Sequence, residues 1–231
     1  MTGKRGGLEP ATGTLILCML FGAVLLTLSG CGDGVRSPRP ANPITPATSD
    51  PTEAQLLAEL QQKFENPQAQ YELARVYHKA QNWNRAEWYY SNALSFDPAN
   101  KEAQAGLVKL FIDRGETAKA ERYANSYIRQ AAPSVREMLR LGWEFKRLQL
   151  DDYTLRCFRQ ALEADPASDE ANKQMGYYYF EKGDTAKAKQ YLMRSFELNP
   201  RQPDVAGTLG KLGVVVQLPE APAPAVPAKP K

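Results

Sequence analysis

Residues 73–98 read LARVYHKAQNWNRAEWYYSNALSFDP, residues 141–166 read LGWEFKRLQLDDYTLRCFRQALEADP, and residues 175–200 read MGYYYFEKGDTAKAKQYLMRSFELNP. Laid over one another, these stretches share a period of 34 residues. The period fills 67–202 four times without a gap, as 67–100, 101–134, 135–168 and 169–202. A unit of that length holds two short amphipathic helices and a turn. Alone it cannot bury its apolar face, whereas stacked neighbours can.

The pattern has a packing logic. Each unit offers one small residue per helix at the expected crossing: Ala74 with Ala86, Gly142 with Thr154, Gly176 with Ala188, and the bulkier Val108 with Ala120. Leu73 and Tyr77, Leu107 and Phe111, Leu141 and Phe145, and Met175 and Tyr179 recur four apart and predict a continuous core. In the second helix a large residue stands three before a small one: Tyr90 and Ala93, Phe158 and Ala161, Leu192 and Ser195. The second unit inverts the order as Ala124 and Tyr127, which conserves volume. Pro98, Pro166 and Pro200 close their units, and Pro133 does so one residue late, because proline cannot continue a helix.

These residues resemble the tetratricopeptide repeat, a helix–turn–helix unit, over 67–202. The resemblance implies an all-α, right-handed superhelix of four repeats held by nearest-neighbour contacts. Such arrays need capped ends. Asp50-Pro51-Thr52-Glu53 reads as a helix start in which Asp50 caps, Pro51 suits the first turn and Glu53 reaches back as in a capping box. Leu57, Leu60 and Phe64 then lie on one face, giving an N-terminal capping helix within 51–66. Residues 203–217 form the C-terminal cap, with Val205, Leu209 and Leu212 apolar. Val214–Val216 either pack beneath it or form a short strand open to a partner, and packing is the expectation. Residues 218–231, rich in Pro and Ala, read as an extension without a fold.

The first thirty residues read as a signal. Lys4 and Arg5 precede an uncharged stretch whose apolar heart, Leu15–Leu28, makes about 21 Å of helix, short of a hydrocarbon core of about 30 Å. Leu28-Ser29-Gly30-Cys31 resembles the bacterial lipobox, which implies cleavage before Cys31 and acylation of that cysteine. Because Gly32, not Asp, follows, the resemblance places the anchor on the periplasmic face of an outer membrane. With Cys18 lost and Cys31 lipidated, Cys157 has no intramolecular partner. Residues 31–50 are a Pro-rich tether, at most about 65 Å when extended and about 25 Å as a coil.

Composition excludes several classes. With 43% hydrophobic, 24% charged and 10% aromatic residues in 231, the chain is neither collagen-like, nor wholly disordered, nor polytopic. A net charge of +3 gives no basis for a nucleic-acid partner. Catalytic templates fail as well. His78 is the sole histidine, so neither a His-pair metal site nor a Ser/His/Asp triad is available, and it is expected as a solvated groove residue. Cys157 is expected as a small buried hydrophobe, and Asp151-Asp152 as a cap for the helix that follows. No phosphate-cradling loop or CxxC is present. The expectation is a non-enzyme with no cofactor and no metal.

What remains is a binding surface. In proteins with this repeat the first helix of each unit lines the concave face. The stripe opposite its core contacts gives Tyr71, Arg75 and His78, then Lys109 and Ile112. It continues with Arg136, Leu139, Arg140, Trp143, Lys146 and Arg147, and ends at Lys173, Tyr177 and Phe180. Cations between exposed rings suit an extended peptide, with Arg140, Trp143 and Arg147 as the hot spot. The variant of this repeat that grips peptide C-termini wants Lys and Asn where Tyr71 and Arg75 stand and Asn at Gly106; Arg136 and Arg140 alone match in type. The expected function is a lipid-anchored scaffold that binds protein partners during cell-envelope assembly, with a layout similar to outer-membrane repeat lipoproteins of pilus or secretion systems. Two alternatives stay open: an assembly factor for outer-membrane barrels or cell-wall enzymes, and a lipoprotein that binds a polysaccharide or small ligand by stacking on Trp143, Tyr177 and Phe180.

Overall fold

The computed structural model describes residues 51–219. The signal, the acylated Cys31, the tether with Asp50, and the tail from 220 onward lie outside the described residues. Ten helices follow in order: α1 (Pro51–Gln62), α2 (Pro67–Lys79), α3 (Trp83–Phe96), α4 (Lys101–Asp113), α5 (Thr117–Ala131), α6 (Val135–Arg147), α7 (Asp151–Ala164), α8 (Asp169–Glu181), α9 (Thr185–Leu198) and α10 (Pro203–Lys211). The fold is all-α: four helix pairs, α2/α3 to α8/α9, stacked in series between α1 and α10. None of the described helices is long and apolar enough to cross a membrane.

Local chemistry repeats with the period. Each first helix begins at a side-chain cap: Asn66, Asn100, Ser134 and Ser168 accept from backbone N–H groups two or three residues on. Each turn inside a pair passes through a positive φ, at Gln81, Gly115, Gln149 and Gly183. That backbone suits glycine, so Gln81 and Gln149 sit there under mild strain. Buried amides hold three of the loops that precede a first helix. Gln70 donates to the Phe64 carbonyl and Gln104 to the Pro98 carbonyl, both at 2.7 Å, and Asn172 to the Ser168 carbonyl at 2.8 Å. Met138 replaces this amide in the third pair.

Within each pair a ring of the first helix meets a ring of the second: Tyr77 with Tyr89, Phe111 with Tyr123, Tyr179 with Tyr191. In the third pair the position 34 residues after Tyr123 is Cys157, so Phe145 turns to Tyr153 instead. Tyr153 stands where the other pairs carry a cation over the ring, namely Arg85, Lys119 and Lys187. Cys157 is therefore a core filler. Its burial pushes the thiol up to about 12, far from a nucleophile's range.

Several expectations need correction. Gly142 and Gly176 do not oppose Thr154 and Ala188 most closely. A Cβ on either would lie 2.6 Å from the ring of Phe158 or the branch of Leu192, each four residues further on. The small residue of the first helix thus accommodates the large residue of the second. Asp151 and Asp152 occupy the first turn of α7, whose cap position is Leu150, with no side-chain cap bond; Asp151 instead accepts from Lys182 at 2.7 Å. Tyr179 is half-buried and Tyr178 takes the buried place beside it. Helix α1 ends at Gln62, so Phe64 lies beyond it; the ring is partly exposed against Trp88 and Phe96. Glu53 is fully buried and accepts the Tyr77 hydroxyl at 2.6 Å, which ties α1 to the first pair.

At the other end Leu192, Val205 and Leu209 form a second cluster, joined by Tyr177, Phe196 and Leu212. Val214 and Val216 pack on this cluster while Val215 is 94% exposed, without forming a strand. The packing alternative holds there.

Candidate functional site

Successive first helices touch one another along the stack, α2 with α4, α4 with α6, and α6 with α8. Two side chains show that this face is hollow. Arg147 on α6 donates to the Tyr71 hydroxyl on α2 at 3.2 Å, over the top of α4. The contact is possible because α4 is low at that point: Gly106 lies beneath, and a Cβ there would strike the Tyr90 ring at 2.6 Å. Helix α4 is consequently buried nearly all round, including Ala103, Gln104, Ala105, Leu107 and Val108. The Tyr71–Arg147 contact divides the inner face in two.

The N-terminal half is polar and braced. His78 Nδ1 lies 3.3 Å from the Tyr90 hydroxyl and His78 Nε2 lies 3.0 Å from Asp113, so in the neutral ring Nε2–H donates to the carboxylate and Nδ1 accepts from Tyr90. Burial lowers the His78 pKa below 6.5, opposed by the Asp113 bond and charge. Lys109 pairs with the same Asp113, and Arg75 with Glu72. A recess of about 450 Å³ remains among these groups. His78 is thus a half-buried bridge between α2 and α4 and not the solvated residue expected. Tyr71, expected as an exposed groove ring, is only 4% exposed, held against Tyr90.

The C-terminal half is open and more apolar. A cleft of about 610 Å³ runs over α6 between the starts of α4 and α8, lined by Val135, Leu139, Trp143, Arg136, Arg140 and Lys101, with Glu102, Glu144, Ser168, Glu170 and Gln174. Leu139 is buried and forms its floor. Trp143 is 50% exposed, its Nε1 donating to Gln174 at 2.9 Å, which holds the indole in place as a shelf. Lys146 Nζ stands 5.8 Å from the ring centroid, and the remaining exposed part of the indole is available to a partner.

Sequence reasoning selected Arg140, Trp143 and Arg147 together, and the structure places Trp143 between the other two, with Arg140 beside it in one cleft and Arg147 beside it in a neighbouring recess. Arg140 and Trp143 line the cleft, whereas Arg147 is spent on Glu144 and Tyr71. Arg136 and Leu139 join the cleft as expected from their spacing. Lys146 pairs with Glu181 and Lys173 with Glu170, while Ile112 and Phe180 are half-buried. Tyr177 donates to Asp204 at 3.0 Å and belongs to the C-terminal cluster. Lys101, Glu144 and Gln174 were missed. Glu144 and Gln174 stand at helical spacing from Arg140 and Tyr177 and were passed over because the stripe was drawn through cations and apolar side chains.

Residues 170–202 match the tetratricopeptide repeat family. Those residues are α8 and α9, and the three preceding pairs share their build. The described chain is a TPR-type helical repeat scaffold, a class that typically mediates protein–protein interaction. It is also 26% identical over 133 residues to the anaphase-promoting complex subunit CDC16 of Saccharomyces cerevisiae. The match covers 54% of this chain and 16% of that relative's length. Among solved structures, the MamA protein aligns with TM-score 0.38 and 17% identity over 64% of this chain and 81% of its own. Pseudomonas aeruginosa pilF aligns with TM-score 0.37 and 22% identity over 63% and 67%. YrrB, described as a TPR protein with an unusual peptide-binding site, aligns with TM-score 0.36 and 18% identity over 69% and 82%.

Proposed function

We propose that the chain is a lipid-anchored, non-catalytic scaffold that binds an extended segment of a protein partner in the cleft over α6, in the assembly of a cell-envelope complex of the pilus or secretion type. One observation supports this above the rest: Trp143 stands half-exposed over an apolar floor on the inner face, where a large ring has no packing role of its own. The anchor is argued from Leu28-Ser29-Gly30-Cys31 and the tether from 31–50, which together would leave the repeats free near a membrane surface.

Affinity capture from detergent-solubilised envelopes, with the full chain and with Trp143→Ala as bait, tests the cleft. The expected result is one or more proteins identified by mass spectrometry with the full chain and lost with Trp143→Ala. Retention of the same proteins by the variant, or recovery of glycan alone, contradicts the reading. Cys31→Ser tests the anchor independently: the protein should leave the membrane fraction, and its persistence there would mean the leader itself is the anchor.

A further inference from the structure

Lys101, the first residue of α4, is only 3% exposed, yet it lines the open cleft. Its ammonium has three N–H groups, and no described residue accepts a hydrogen bond from it. The nearest carboxylate, Glu137 Oε2, stands at 3.6 Å, past hydrogen-bond length. The same Glu137 also takes Arg140 at 3.3 Å, so one carboxylate serves two cations. Arg136, exposed on the same wall, makes no ion pair with any described residue. The Lys101 stem is buried while its ammonium meets the cleft with a single carboxylate at 3.6 Å, so an arriving anion adds a charge-assisted hydrogen bond there.

The acids around the cleft do not fill this place. Glu144 is held by Arg147, and Glu170 by Lys173 and the Gln174 amide. Glu102 has no ion pair among the described residues and can accept main-chain N–H groups from an arriving segment. Tyr71 and Arg147 meet across the route toward the N-terminal half, Lys146 and Lys182 on the far side of Trp143 are paired with Glu181 and Asp151, and Arg136 stands without an ion pair among the described residues between the starts of α4 and α6.

We infer that the cleft selects an extended peptide segment carrying an acidic side chain two residues from a large apolar one. The carboxylate meets Lys101 and Arg136, and the apolar side chain lies on Leu139 against Trp143. Residues two apart in an extended chain project from the same side, about 7 Å from each other, which suits neighbouring charged and apolar parts of one cleft. This inference rests on the protein-binding reading above and adds the chemistry of the partner.

The test is selection of random twelve-residue peptides, displayed internally with no free carboxyl terminus, on the full chain in detergent. Selected sequences should be enriched in Asp or Glu two positions from Leu, Ile, Phe or Met. Lys101→Met keeps the aliphatic stem and removes the ammonium; it should keep the apolar preference and lose the acidic one, with at least about tenfold weaker binding of a selected peptide. Exposed Arg136→Gln gives a second variant that leaves the fold undisturbed, and it should weaken the same peptide in the same direction. Selection without acidic enrichment, or acidic enrichment unchanged in both variants, overturns this inference and leaves the groove reading standing. Absence of any selection that Trp143→Ala abolishes overturns the groove reading itself, and this inference with it.

Discussion

The two halves of the inner face are built from the same repeat and end in opposite states. Around α2 and α4 the rings turn inward: Tyr71 lies on Tyr90, Tyr90 sits over Gly106, and Arg147 closes the top. Around α6 and α8 the corresponding space stays open, because Trp143 is held outward by Gln174 and the cleft beside it is unfilled. A TPR-type repeat therefore fixes where helices go but not whether the hollow between them is empty. That is decided by a few residues per unit, here one glycine and one arginine.

This contrast can be broken by truncating one ring in each half. Tyr71→Ala should cost on the order of 3 kcal/mol of stability in urea denaturation, since it removes a buried aromatic side chain. Trp143→Ala should change stability by no more than about 0.5 kcal/mol, because its ring is half in water. Equal losses at both positions would erase the distinction between a closed and an open half. Next in size, Gly106→Leu should destabilise by on the order of 1–3 kcal/mol, because the new side chain displaces Tyr90 from the seal. Thermal unfolding indistinguishable from the parent chain would show that Gly106 is not what lets Tyr71 and Arg147 meet.

Much of the stack was legible before any coordinates. The period and the helix ends follow from side-chain size and proline alone, and Val205, Leu209 and Leu212 fall where the spacing put them, whereas the small residues Gly142 and Gly176 face Phe158 and Leu192 and not the small residues paired with them. The closed half was not legible. Helical spacing gives the direction of a side chain from its own axis, and it put Tyr71 on the groove stripe correctly. It could not report that the ring would lie against Tyr90 with Arg147 reaching its hydroxyl from α6. Only the curvature of the array brings Arg147 to a residue 76 positions away. Lys101 was hidden for a similar reason, since a lysine that opens a helix is solvated in most settings. Cys157 shows the converse: the comparison of Tyr89, Tyr123 and Tyr191 at the same place in the repeat marks it as the ring that is missing.

The smallest expected effect concerns pH. His78 binds a proton less readily in the folded chain than at its ordinary value of 6.5, because burial disfavours the charged ring. As pH falls below that value the unfolded chain takes up the proton first, so stability is present above it and declines on acidification, levelling off once the folded ring is also protonated. His78→Gln should flatten that part of the stability-against-pH profile relative to the parent chain, measured by denaturant midpoints from pH 7.5 to 5. An unchanged slope would mean that the His78 bridge between α2 and α4 carries no proton-linked energy.

The central claim is that partners reach the open half and not the closed one. Photo-crosslinking in cells, with a benzophenone amino acid placed at position 143 in one strain and at position 75 in another, asks this directly. Arg75 is an exposed residue of the N-terminal recess, so both probes face solvent from the same inner wall. Protein adducts from position 143 with few or none from position 75 are the predicted result; equal yields, or adducts from position 75 alone, would contradict it.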